Sequence, residues 1–453
     1  MEEPTSTIAT ELLALGDRSA RGIATAISRS IRAGRLEAGQ RLPTVRALAA
    51  ALGTSPTTVS EGWQLLGRMG VIEARGRLGT FVRNDNRPLG SRRYRTITQR
   101  PSPYRLDLST GVPDPDLLPD MRRALERVSR RNLTTSYLDD PILPALEEFL
   151  RASWPFAPEL LTIVDGAMDA LDRILTSVLR LGDLVAVEDP AFPPLLDLLD
   201  QLGAVPIAVD VDMVGMVPMS LAAALTQKPA AVVIQPRAHN PTGASLDASR
   251  AHALAGVLAA SAHTVIIEDD HSGDIAWSAP VSIGVHLPDR TVHVRSFSKS
   301  HGPDLRLAAV GGSGTVISQL VERRLLGPGW SSRLLQSVLL EMLRDEATCR
   351  QVSDAREEYR RRRNALRVSL TDFDVAHSAD DGINAWIAVE DERAALLSLA
   401  VRGVGVAPGS PFMLGRRDEQ RVRVTIGLVS DDHDRLAADL ADAASAHALR
   451  PSR

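Results

Sequence analysis

Isoleucines recur at 23, 27 and 31 between Arg21 and Ala33, marking one face of a helix that Gly34 ends. After a turn over Leu36 to Pro43, a second stripe places Val45, Leu48, Ala49 and Leu52 at i, i+3, i+4 and i+7. Thr44 stands where an N-cap belongs and Gly53 where the helix must stop. Ser55 then caps a third helix whose first position is Pro56, where a missing N–H costs nothing, with Val59, Trp63 and Leu66 facing inward. Val71 to Val82 reads as two short strands about Arg75-Gly76-Arg77. The pattern predicts helix, tight turn, helix, then a β-hairpin wing. From Arg83 to Arg105 there is no helical or strand period; Pro88, Pro101 and Pro103 and five arginines from 87 to 100 predict an exposed linker.

Beyond Leu106 short apolar runs at 184–187, 205–208, 231–234, 264–267 and 292–294 alternate with helical stretches. That alternation predicts an α/β fold with a mainly parallel sheet. In such sheets ligands collect beyond the carboxyl ends of the strands, so polar residues just after each run are the candidates for chemistry.

Length and composition narrow the class. At 453 residues the chain holds two or three domains, and 44% hydrophobic with 24% charged residues excludes disordered and fibrous classes. The first twenty residues lack a basic-then-apolar signal and no apolar run approaches a membrane span, which predicts a cytoplasmic protein. Cys349 is the only cysteine, excluding an intrachain disulfide framework and a cysteine metal cluster; His239, His263, His271 and His301 are scattered without metal-ligand spacing. The net charge of -4 hides an asymmetry: residues 1–100 carry 16 Arg against 8 Asp and Glu. A basic module on an acidic body suits a polyanion partner.

The cations also carry chemistry. Of 52, only Lys228 and Lys299 are lysines, and arginine cannot form an imine at neutral pH. Lys299 sits in Ser296-Phe297-Ser298-Lys299, after an apolar run, with Arg306 seven residues on. A lysine amine condenses with an aldehyde to a Schiff base, while Ser296, Ser298 and Arg306 can donate to a dianionic phosphate. Gly166, Ala167 and Met168 precede a helix over 169–179, where small residues let backbone N–H groups approach an anion. Phe192 follows one strand and is placed to stack on a flat heterocycle. Asn240 follows another and can donate to a phenolate oxygen. Glu268-Asp269-Asp270-His271 ends a third, where a buried carboxylate needs a cationic partner such as a protonated pyridine nitrogen.

Two resemblances rest on these residues. Arg41-Leu42-Pro43-Thr44, Arg46 with Leu48-Ala49, Leu52-Gly53, Thr58-Val59, Gly70 and Gly79-Thr80-Phe81-Val82 resemble the winged helix-turn-helix of GntR-type regulators. The resemblance implies double-stranded DNA as partner, with Thr57, Thr58 and Ser60 toward base edges or phosphates and Arg46, Arg75 and Arg77 toward backbone or minor groove. Pro56 departs from it, standing where such proteins carry an arginine. The stretch from Leu106 to Leu449 looks like a fold-type I aminotransferase, which implies pyridoxal phosphate as cofactor. Carried over by motif, Lys299 would form the Schiff base, Asp269 pair with the pyridinium, Asn240 donate to the ring oxygen and Phe192 stack. Gly166, Ala167, Met168, Ser296, Ser298 and Arg306 would cradle the phosphate, with Tyr137 reaching it from the other subunit of a homodimer. Arg423 would bind an amino-acid carboxylate. Gly111-Val112-Pro113-Asp114, Trp386 and the stretch Gly403 to Phe412 match positions around the substrate mouth. His271 departs, standing where relatives carry tyrosine.

A winged helix joined to such a domain resembles the MocR/GabR regulators. The implied organisation is a winged helix-turn-helix over 1–83, a basic linker over 84–105, and over 106–453 a large transferase fold with a smaller C-terminal α+β subdomain. The implied mechanism is that an amine or amino acid displaces Lys299, forming an external aldimine, and thereby alters DNA binding. Two alternatives stand beside it: a working aminotransferase with an accessory DNA-binding domain, and a regulator for which the cofactor itself is the signal in the control of vitamin B6 supply.

Overall fold

The protein is described by a computed structural model over Ile8, Thr10 and residues 17–32, 34–37, 39–68, 71–82, 92–98, 104–130, 139–415 and 419–447. Two compact units divide it, one of residues 1–90 with the short segments 179–184 and 198–205, and one holding the remainder.

In the first unit helices Ala20–Arg32, Val45–Leu52 and Pro56–Arg68 precede an antiparallel hairpin of β1 (Ile72–Ala74) and β2 (Thr80–Val82). The caps are those the sequence predicts. Ala47 N donates to Thr44 Oγ1 at 3.2 Å, Thr58 N donates to Ser55 Oγ at 3.0 Å, and Gly53 adopts a left-handed φ of 62°. Ile23, Ile27, Leu48, Val59 and Leu66 are wholly buried against one another, because each helix presents one apolar stripe. The segment before the second helix joins the wing: Leu42 N donates to Thr80 O and Val82 N to Gln40 O, each at 2.8 Å.

In the second unit β3 (Leu106–Leu108) belongs to a smaller sheet. The large sheet comprises β4 (Leu160–Val164), β5 (Leu184–Asp189), β6 (Val205–Asp212), β7 (Gly215–Met216), β8 (Ala231–Ile234), β9 (Val265–Asp270), β10 (Thr291–Ser296) and β11 (Ala308–Gly312). Its order is β4-β11-β10-β9-β8-β5-β6-β7. The central strands β5, β8, β9 and β10 run parallel, whereas β11 is antiparallel to both its neighbours. The smaller sheet takes β12 (His377–Ser378), β13 (Ala385–Val389), β14 (Val404–Pro408) and β15 (Gln420–Val424) in the order β12-β13-β15-β14-β3. This C-terminal α+β part is completed by β3, a strand from its own beginning.

Two expectations need correction. Apolar runs underestimate the strands: β9 continues past Ile267 through Glu268, Asp269 and Asp270, and β5 continues to Asp189. Their polar ends are buried and hydrogen-bonded, which hydropathy cannot foresee. The predicted structureless linker contains the helix Arg92–Thr98, held at its start by Asp197, which accepts from Arg93 N at 3.2 Å and Tyr94 N at 3.0 Å. Ile97 anchors it in a cluster with Trp386, Ala407 and Phe412. Seven residues are too few to show a period, and the stabilising partners lie far along the chain.

Leu48→Ala removes a wholly buried side chain from the small first unit and should cost about 2–5 kcal/mol. Chemical denaturation followed by hydrogen exchange over residues 39–68 reads whether that unit alone is weakened.

Candidate functional site

The ends of β5, β8, β9 and β10 bring the candidate residues together because parallel strands all point their carboxyl ends one way. Asp269 lies in β9, and Lys299 three residues beyond β10, where the chain turns out of the sheet. Lys299 Nζ and His271 Nδ1 are 2.6 Å apart. Burial, with the lysine charge beside it, pushes His271 well below its ordinary value, so the ring is a neutral acceptor. Its Nε2 is buried without a partner among the described residues. Burial likewise lowers Lys299 to about 8, although Asp269 works in the opposite sense. Burial raises Asp269 to about 6, with Gln235 and Lys299 opposing. Asp269 Oδ2 accepts from Gln235 Nε2 at 2.9 Å while Oδ1, also buried, has no partner among the described residues.

The anion cradle is assembled from two elements. Gly166, at φ 104°, precedes the helix Ala167–Val178, and a Cβ there would stand 3.2 Å from the Arg306 guanidinium. Arg306 itself takes a left-handed φ of 48°. Ser298 N donates to Ser296 Oγ at 3.3 Å, so the two serines are neighbours in the same turn. Ala167 and Met168 occupy the first helical turn, half-buried. Phe192 is half-buried before the helix Pro193–Leu202, on a loop tied by a bond from Ala191 N to Phe412 O at 2.8 Å. Tyr137 lies outside the described residues.

Arg423, on β15, reaches the same region. Its NH2 donates to Ser109 O, and NH1 lies 3.5 Å from Asn240 Oδ1. Its guanidinium carbon is 5.3 Å from the Phe412 ring centre. Gly111, at φ 69°, makes room for it: a Cβ would fall 2.9 Å from NH1. Burial lowers Arg423 to about 10, still cationic at neutral pH, and no carboxylate among the described residues lies within ion-pair reach.

Behind the pocket wall lies machinery that sequence reasoning missed. Glu268 accepts from Ser282 Oγ and Ile283 N, each at 2.6 Å, and lies 2.8 Å from His293 Nδ1. Asp270 pairs with Arg237 at 2.5 Å. Burial alone would raise Asp270, but Arg237 and His293 hold it below its ordinary value. Gln235 was detectable only as the first polar residue after an apolar run.

On the winged helix, Arg46 and Thr57 are exposed and Ser60 half-buried. Thr58 is half-buried, its Oγ1 2.8 Å from Ser55 Oγ within the cap. Arg75 is also engaged, donating to Glu73 from Nε at 2.8 Å and lying 4.8 Å from the Phe81 ring centre. Arg77 is in a one-turn 3-10 helix, Gly76–Leu78; its side chain lies outside what is described.

Residues 105–440 match the family described as aminotransferase class I and II, and residues 19–82 match bacterial regulatory proteins of the gntR family. The vitamin B6 salvage pathway transcriptional repressor PtsJ of Salmonella typhimurium is 35% identical over 429 residues, 93% of this chain and 98% of that protein. The chain belongs to the MocR-type regulators. The regulator TauR of Rhodobacter capsulatus is 30% identical over 444 residues, 87% of this chain and 89% of that one. Among solved structures, the α-aminoadipate aminotransferase LysN of Thermus thermophilus matches at a TM-score of 0.68 and 20% identity, over 78% of this chain and 95% of LysN, which shows the fold of the larger unit.

As in other MocR-type chains, the aminotransferase class I/II domain supports pyridoxal phosphate as cofactor. The residues present fit it: the unpartnered Asp269 Oδ1 suits a pyridinium N–H, and the Gly166–Arg306 cradle suits a phosphate. Among the described residues no helix is long and apolar enough to cross a membrane, and no cluster has metal-holding geometry.

Only the neutral amine of Lys299 is nucleophilic. Uptake of pyridoxal phosphate by the apo-protein should therefore quicken about tenfold per pH unit below the lysine value and level off above about 8. Stopped-flow absorbance checks this; a rate still climbing tenfold per unit to pH 10 would mean an unshifted lysine.

Proposed function

We propose that this chain is a cytoplasmic DNA-binding transcriptional regulator that holds pyridoxal phosphate at Lys299 and changes its grip on an operator with the state of that pocket. The observation that carries this is the pairing of Lys299 with His271 at 2.6 Å, opposite an Asp269 oxygen with no partner among the described residues, in a chain that begins with a GntR winged helix. Pyridoxal phosphate supplies an aldehyde that condenses with primary amines and a ring that withdraws electrons. Lys299, partly neutral at physiological pH, holds the aldehyde end. Arg306, Ser296, Ser298 and the backbone at Gly166, Ala167 and Met168 hold the phosphate, Asp269 keeps the ring nitrogen protonated, and Asn240 and Phe192 orient the ring. His271, a neutral imidazole, accepts from Lys299 in place of a tyrosine hydroxyl. Thr57 and Ser60 at the start of the third helix, with Arg46, meet DNA. A homodimer matches the paired half-sites that winged helices commonly read, and a second subunit would bring Tyr137 to the phosphate.

The signal that fits the chain's nearly full-length similarity to a vitamin B6 salvage pathway repressor is the cofactor itself. A second reading, an amine or amino acid as effector, is favoured by Arg423: a buried cation without a carboxylate partner among the described residues suits an α-carboxylate. Either signal has a physical route outward. Phe412 contacts both the Arg423 guanidinium and, through its cluster, Ile97 of the linker helix. A ligand that repositions Arg423 and Phe412 shifts that helix's docking equilibrium, provided it binds the two arrangements unequally.

Operator affinity measured with and without pyridoxal phosphate, by fluorescence anisotropy, tests this. Wild type should respond, Lys299→Ala should lose most of the response, and Arg423→Ala should keep it. A response that needs an added amino acid and vanishes in Arg423→Ala would favour the second reading. Steady accumulation of an oxo acid would make the chain a working aminotransferase. Ile97→Asp should undock the linker helix and cut the DNA response several-fold while leaving cofactor affinity within about twofold, as expected for coupling of order 1 kcal/mol.

A further inference from the structure

Gln235, the first residue after β8, is joined to β5, to β9 and to the loop after β8 through its backbone N, its Nε2 and its Oε1. Its backbone N donates to Glu188 Oε2 at the end of β5, at 2.8 Å. Its Nε2 donates to Asp269 Oδ2 on β9 at 2.9 Å. Its Oε1 accepts from Asn240 N, in the loop after β8, at 2.8 Å. The residue is 5% exposed.

We infer that Gln235 is a positioning residue for the cofactor pocket: its carboxamide fixes Asp269 and Asn240 together, committing Asp269 Oδ2 to the protein and leaving Oδ1 for a ring N–H. The inference rests on the proposed pyridoxal phosphate pocket and adds to it a residue that is bonded to Asp269 and Asn240 and not to the lysine.

The chemistry requires an amide at this place. A carboxylate with one oxygen held by a fixed N–H donor keeps its rotation and presents its second oxygen in one direction. The same amide's carbonyl is the acceptor that Asn240 N needs, and a buried backbone N–H without one is costly. No hydrophobic residue serves either end, and a serine or alanine is too short to span β9 and the loop. The surroundings are rich in titrating groups: Glu188 on β5, His239 in the loop, Lys299 beyond β10, His271 and Asp270 following Asp269, and His293 on β10. Burial raises Glu188 and lowers His239, which lie 3.5 Å apart, each toward its neutral form. An amide does not titrate, and among these neighbours it donates to Asp269 at every pH at which the protein folds.

Gln235→Glu is nearly isosteric and separates positioning from packing. Protonated, the new carboxyl still donates an O–H to Asp269 and still offers an oxygen to Asn240 N. Ionised, it stands against Asp269 as a second carboxylate and disfavours it as a partner for the ring nitrogen. Gln235→Leu keeps the volume but supplies neither bond. The measurement is the equilibrium dissociation constant of pyridoxal phosphate for the full chain, from quenching of protein fluorescence, at pH 6.0 to 8.5, each variant divided by wild type at the same pH to remove the titration of Lys299 and Asp269 themselves. The expected result is a Gln235→Glu ratio near one at the acid end that climbs at least tenfold toward the alkaline end, with Gln235→Leu weakened at least tenfold throughout. If Gln235→Leu matches wild type, or if Gln235→Glu is weakened equally at every pH, the inference is overturned. Should Gln235→Leu fail to fold by circular dichroism, the Gln235→Glu profile decides alone. Failure of wild type to bind pyridoxal phosphate, or unaltered binding in Lys299→Ala, would instead remove the underlying reading of the pocket, a distinguishable outcome.

Discussion

Three consecutive acids, Glu268, Asp269 and Asp270, end one central strand, and all are nearly wholly buried. An uncompensated carboxylate in a protein interior costs several kcal/mol, so three in a row are tolerable only if each has its own partners. The pleat separates them. Alternation sends Asp269 to one face of the sheet and its neighbours to the other. On the far face Glu268 takes bonds from Ser282 and Ile283 N beside His293, and Asp270 takes Arg237. On the near face Asp269 is answered by Gln235 and by the charge of Lys299, and keeps one oxygen unspent.

The smaller sheet contributes a buried cation, Arg423, to the same region. Arg423 sits on β15 opposite Trp386 of β13 and Ala407 of β14, so strand register places the guanidinium beside the aromatic residues that also receive the linker helix. β3 closes that sheet, and the chain just beyond it provides Ser109 O and the Gly111 turn against which the guanidinium rests. Thus a strand at the start of the large unit and a strand near its end belong to one sheet, and Arg423 of the second donates to Ser109 O just beyond the first. The helix Arg92–Thr98 packs on the same cluster through Ile97, so this part of the linker and Arg423 share a neighbour in Phe412.

Much of this architecture is legible in the order of residues. The winged helix follows from local signals alone: caps at Thr44 and Ser55, stops at Gly34 and Gly53, and apolar stripes with helical spacing. The parallel sheet follows from alternation of short apolar runs with helical ones. The candidacy of Lys299 follows from composition, since a chain with fifty arginines keeps lysine at two positions. What was not legible has a common character. Gln235 is one glutamine among several until β5, β8 and β9 are laid side by side, and the linker helix is seven residues whose cap, Asp197, lies about a hundred positions away. The intrachain partners of Thr58 and Arg75, Ser55 and Glu73, likewise become apparent only when the cap and the wing are built.

The sequence by itself determined most of the element types, the family and the candidacy of Lys299, because these depend on periodicity, on local capping and on which side chain can form an imine. Only the tertiary structure decided which oxygen of Asp269 remains open, that His271 is a neutral neighbour of Lys299, and that Arg423 and the linker share Phe412. Those are matters of burial and of contacts between residues tens to hundreds of positions apart. The desolvation that lowers an amine or raises a carboxyl exists only once the surrounding strands have excluded water.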